Sequence, residues 1–115
     1  MDNKTFEMTL LFDFFGDLLT EKQRNCFDLY YNDDLTLSEI AEQAGISRQG
    51  VRDNLLRAEA ALKEYEAKTG VVRRFNEMQA QIEQLEDTIK QFLANNAHSE
   101  QEASNILEKL EKLKG

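Results

Sequence analysis

Residues 35–57, LTLSEIAEQAGISRQGVRDNLLR, carry the punctuation of a helix-turn-helix. Ala41 is small where two helices must approach closely. Gly45 follows four residues later, where the turn favours a left-handed backbone that glycine adopts freely. Val51, six residues further on, returns the apolar face of the second helix to the first. Thr36 with Glu39 has the spacing of a capping box and opens the first helix of the pair. Ser47 is placed to cap the second helix, which runs through Leu55, Leu62 and Tyr65 to about Lys68. Arg48, Gln49 and Arg52 then project from its first turns, the part that enters a major groove when such a unit binds DNA.

Outward from this stretch the chain reads as helical throughout. It has 115 residues, no Pro and five Gly, with 41% apolar and 31% charged residues. That is the size of one domain, or of a small domain with an appendage. Few β-branched runs or hairpin dipeptides occur, so the expected fold class is all-α. A first helix is expected over residues 5–19, capped by Asn3 or Thr5. Its apolar residues, Phe6, Met8, Leu10, Leu11, Phe12, Phe14, Phe15, Leu18 and Leu19, cover more of the circumference than one neighbour requires. Either this is a central core helix, or one of its faces docks a second subunit or the C-terminal helices. Thr20 with Gln23 forms another capping box and opens a helix to about Asn32, with Cys26, Phe27, Tyr30 and Tyr31 facing inward. Asn32-Asp33-Asp34 is a turn.

The last third changes character, and we divide the chain into a helix-turn-helix domain (1–69) and a C-terminal helical segment (70–115). Val71, Phe75, Met78, Ile82, Leu85, Ile89 and Phe92 are spaced 4, 3, 4, 3, 4 and 3 residues apart. This heptad seam points to coiled-coil packing and to self-association as a homodimer. Asn95-Asn96-Ala97-His98 interrupts it, and a third capping box is expected at Ser99 and Glu102. Ala103, Ile106, Leu110 and Leu113 then resume a seam. One interrupted helix and a helical hairpin both fit, with the capping box favouring a break.

Charge restricts the function. The formal net charge is −8. Residues 1–69 hold 8 basic and 14 acidic side chains, and residues 70–115 hold 6 and 8. Phosphate neutralisation supplies much of the affinity of a DNA binder, so the acidic body works against one. Locally the balance reverses, because Arg48, Arg52 and Arg57 face only Asp53 within residues 47–57. No catalytic constellation, metal-ligand spacing or phosphate-binding glycine loop is found, so neither enzymatic activity nor a cofactor is expected. His98 reads as a solvated loop residue and Cys26 as a small core residue. A single cysteine, no signal peptide and no apolar run of ~18 residues point to the cytoplasm and away from the membrane.

LTEKQR (19–24), Tyr30-Tyr31, LSEIAE (37–42) and GISRQGV (45–51) together resemble region 4 of bacterial sigma factors, which recognises the −35 promoter element. With LLFDFFG (10–16) and the C-terminal heptads included, about residues 6 to 95 resemble the YlxM-like family of small bacterial helix-turn-helix proteins. That resemblance implies a regulator or accessory factor of the signal recognition particle pathway, with no catalytic activity. Carried over position by position, it assigns nucleic-acid contacts to Ser47, Arg48, Gln49, Arg52 and Arg57. Gly50 and Asp53 depart from a strong reader, one by helix propensity and the other by charge. The expected partners are therefore DNA, components of the signal recognition particle and a second copy of the chain. A protein-binding scaffold without nucleic-acid contacts is the competing reading.

Overall fold

The structure, a computed structural model, describes residues 3–95 and 100–114. Among these it contains six α-helices, one 3-10 turn and no strand: α1 (Asn3–Phe15), the turn Gly16–Leu18, α2 (Glu21–Tyr31), α3 (Leu37–Ala44), α4 (Arg48–Thr69), α5 (Val71–Asn95) and α6 (Glu100–Leu113). They form two compact units, one ending at Val72 and one beginning at Arg73.

In the first unit α4 is the centre, packing against α1, α2 and α3. Its buried face is Val51, Leu55, Ala58 and Leu62, at helical spacing. Met8, Leu11 and Phe15 of α1, Cys26 and Phe27 of α2, and Ile40 of α3 meet that face. Phe27 is fully buried and stacks between Phe12 and Tyr31, at centroid distances of 4.6 and 4.4 Å. Offset aromatic packing of this kind adds about 0.5–1.5 kcal/mol per pair beyond area burial.

Local signals set the helix ends. The hydroxyl of Thr20 accepts from the Gln23 amide, and the Gln23 side chain accepts from the Thr20 amide, both at 3.2 Å. Thr36 and Glu39 repeat the arrangement at 3.1 and 3.0 Å. Gly45 takes φ 67° and closes α3, its amide donating to the Ala41 carbonyl. Gly70, at φ 64°, closes α4 in the same way. The carboxylate of Glu66 then accepts the Val72 amide at 2.9 Å and helps start α5.

Several expectations change in detail. The first helix stops at Phe15 rather than Leu19, giving way to a 3-10 turn in which the Leu19 amide donates to Gly16. A Cβ on Gly16 would come within 3.1 Å of the Phe12 ring, so a larger residue where the chain leaves the helix would make that ring shift by a few tenths of an ångström. Asn3 and Thr5 lie inside α1 and do not cap it. The wide apolar arc is only partly core: Met8, Leu11 and Phe15 are buried, whereas Phe6 and Leu18 are exposed. Tyr30 is exposed too, because Leu29 rather than Tyr30 packs toward the core. The interruption at 96–98 and the Ser99 half of the third capping box lie outside the described residues, as does His98.

In the second unit, α6 doubles back along α5. Lys114, near the end of α6, reaches the Glu86 carboxylate at 3.0 Å, which makes the pair a hairpin. Ile82 and Leu110 are the buried residues between the two helices. The start of the seam behaves differently, since Val71 and Val72 pack against the core of the first unit.

Candidate nucleic-acid interface

Ser47 is extended (φ −71°, ψ 157°), and its hydroxyl oxygen accepts the Gly50 amide at 2.9 Å. This fixes where α4 begins and so which side chains occupy its first turns. Gly50 itself is tightly placed, since a Cβ there would lie 3.2 Å from the Ser47 hydroxyl and 3.6 Å from Ile46.

At about 100° per residue, the outward face of α4 centres on Gln49, Asp53 and Leu56. Arg48 and Arg52 flank that centre on one side and Arg57 on the other. Ser47, Arg48, Gln49, Arg52, Asp53 and Arg57 are all exposed. Arg48 and Arg57 are nine residues apart, about 13 Å along the axis. A helix laid in a groove would therefore present amide, carboxylate and leucine to the base edges, with guanidinium groups toward the two bordering phosphate strands.

The arginines are available for such a role. Among the described residues, none of Arg48, Arg52 and Arg57 lies within ion-pair distance of a carboxylate, and neither do Lys22 and Lys63, whereas Lys4, Arg24 and Lys68 of the same unit are paired. Gln49 is held in place, donating to Asp53 at 3.0 Å. That bond uses one of its two amide hydrogens and leaves the other, with the amide oxygen, for an adenine edge. Asn54 is not a reader, because its side chain donates to the Gly50 carbonyl at 2.9 Å.

Carboxylates share the motif with these arginines. Asp53 stands at the centre of the outward face, and α3 carries Glu39 and Glu42, both exposed. The carboxyl of Glu39 is held below the usual carboxylate range by the Thr36 amide and then by its hydroxyl, so it remains charged at neutral pH. Leu56, half exposed at 51%, is the residue that motif matching passed over. Its signal was available, since positions 49, 53 and 56 follow the i, i+4, i+7 spacing of one helical face.

The seven seam residues are distributed unequally. Val71 belongs to the first unit's core and Ile82 is buried in the hairpin. Ile89 is half-buried, while Phe75, Met78, Leu85 and Phe92 are exposed. Among the described residues no group of three or more His, Cys, Asp or Glu side chains is arranged to hold a metal ion. No described helix is long and apolar enough to cross a membrane.

Comparison with known proteins agrees with the helix-turn-helix geometry. Residues 2–112 match the model of the UPF0122 family of YlxM / p13-like helix-turn-helix proteins. A UPF0122 protein of Bacillus mycoides strain KBAB4 is 46% identical over 113 residues, covering 98% of this chain and 99% of the relative. UPF0122 proteins of Bacillus cereus strain AH187 and Bacillus anthracis strain A0248 are each 45% identical over the same length and coverage.

Proposed function

The chain belongs to the UPF0122 family of YlxM / p13-like helix-turn-helix proteins, and on that premise we propose that it is a regulatory or accessory protein that contacts nucleic acid through the first turns of α4. The observation that carries this reading is the set of exposed arginines, Arg48, Arg52 and Arg57, without carboxylate partners among the described residues, on a body of net charge −8. Among the described residues seven of the other eleven basic side chains lie within ion-pair distance of a carboxylate, and these three are the unpaired ones that gather around one helix end. Ser47, Gln49 and Leu56 supply the polar and apolar contacts that base edges accept.

Two nucleic acids fit this chemistry. Promoter-like duplex DNA follows from the likeness to sigma region 4, and signal-recognition-particle RNA follows from the pathway that the YlxM-like resemblance implies. Titrating both against the protein at one low salt concentration separates them, with tighter binding of one identifying the target.

Asp53 supports the competing reading. A carboxylate at the centre of the face that would meet phosphates suits a protein partner, in which case the helix-turn-helix serves as a scaffold. Binding of neither nucleic acid at low salt selects that function.

A further inference from the structure

We propose that the outward face of α4 reads B-form DNA rather than RNA, with an adenine under Gln49 and a thymine methyl under Leu56 about three base pairs along. This rests on the reading that α4 contacts nucleic acid, and it names which nucleic acid and which bases. The starting point is one hydrogen bond. Gln49 donates an amide hydrogen to the Asp53 carboxylate at 3.0 Å. That leaves the Gln49 side chain one N–H donor and its carbonyl oxygen as acceptor.

One base answers that pair. Adenine sets a donor, N6, beside an acceptor, N7, in the major groove. Guanine shows two acceptors there, cytosine a lone donor, and thymine an acceptor beside its methyl. Against guanine the tethered amide satisfies one acceptor and turns its own oxygen on the other. Asp53 adds to the exclusion. Its exposed carboxylate only accepts, so it is repelled by guanine O6 and N7 and is compatible with an exocyclic amine. Asp53 is thus a positioning residue for Gln49 and a filter against guanine.

Leu56 supplies the apolar half of the reading. It is 51% exposed, and every other exposed side chain over residues 48–57 is polar or charged. The thymine methyl is the apolar group that a base offers in the major groove. Leu56 lies two helical turns beyond Gln49, about 20° off the same line and about 10 Å along the axis. For a helix laid along the groove that is about three base-pair steps of roughly 3.4 Å. RNA fails both halves of this match. Uracil has no methyl, and the major groove of an A-form duplex is too deep and narrow for side chains to read. The B-form groove, about 12 Å wide, admits a helix, with Arg48 and Arg57 then toward its two phosphate borders.

Selection by the full-length chain, at low salt, from a pool of short DNA duplexes randomised at their centre tests the proposal. The retained DNA is expected to carry an adenine and, about three pairs away on either strand, a thymine. Gln49→Ala should lose the adenine preference and keep the thymine, and Leu56→Ala should do the reverse. On the selected duplex, 7-deazaadenine, which lacks N7, should weaken binding by the parent about 5-fold and by Gln49→Ala not at all. Uracil in place of thymine should cost the parent about 4-fold and Leu56→Ala nothing. Retained DNA without this pattern, preferences that neither variant moves, or equal binding of an RNA duplex of the same sequence would each overturn the proposal and leave nucleic-acid contact by α4 standing. A parent that retains no duplex would overturn that contact and the proposal together.

Discussion

Asp53 and the arginines around it oppose one another on a single turn of helix, and their balance sets what α4 can hold. With Gln49 tethered to it, Asp53 is both an orienting group and a repulsive charge toward phosphate. Asp53→Asn removes the charge and keeps an acceptor for Gln49. Duplex binding at low salt is then expected to tighten about 3–10-fold, as follows from deleting one unit charge a few ångströms from a phosphate in a high-dielectric setting. Fluorescence anisotropy with a labelled duplex reads this directly, and unchanged affinity would remove Asp53 from the interface. Gly45 offers a second residue-scale expectation. A Cβ there meets nothing within 4 Å, so the cost of substitution is the left-handed backbone alone. Gly45→Ala should lower stability by about 1 kcal/mol and Gly45→Asn by less, measured by urea unfolding. Cys26 is buried and its thiol is pushed up by desolvation. Because the folded value lies above the unfolded one, its contribution is complete below the unfolded pKa and is lost as pH rises through the folded pKa. Thiol labelling of the native protein should accordingly be far slower than that of the unfolded chain, and labelling at equal rates would contradict the burial.

Among the elements, those that begin with a local hydrogen-bond signal were the most legible in the sequence. Thr20/Gln23, Thr36/Glu39 and Ser47 each specify a helix start through bonds spanning three residues, and no tertiary information is needed to recognise them. Thr36→Ala should cost about 1 kcal/mol by freeing the start of α3. The first helix was less legible. Nine apolar residues identified the element but not its end, because the Gly16 turn depends on where the Phe12 ring packs. The same limit hid the exposure of Tyr30, since alternation between Leu29 and Tyr30 is settled by the neighbouring helices. In the hairpin, the heptad spacing located the apolar residues without revealing which flank α6 covers. Glu86 gives that element a pH dependence. Hydrogen bonds from Lys114 and then Lys90 hold its carboxyl below the usual range. Its contribution is present above the unfolded pKa and lost as pH falls through the folded one. Thermal melts over the acid range should therefore show less acid sensitivity in Glu86→Gln than in the parent.

At the scale of the whole molecule, a net charge of −8 and a basic helix end belong to the same chain, and both were legible from composition before any fold was known. The positions of Ser47, Arg48, Gln49, Arg52 and Arg57 on an exposed face were legible as well, because a cap fixes the phase of the helix that follows it. What composition could not give was the pairing state of each arginine, which depends on which carboxylates the fold brings near. That pairing is the basis of the central claim that α4 contacts phosphate. The most direct test is the salt dependence of nucleic-acid binding by the parent and by Arg48→Ala/Arg52→Ala, both side chains being exposed and so removable without unfolding. With about three phosphates neutralised per chain, log K should fall against log salt with a slope of about −3, or roughly twice that for a dimer with both helices engaged. The double variant should lose binding at every salt concentration while its melting temperature stays unchanged. A variant that binds as tightly and with the same slope as the parent would contradict the account.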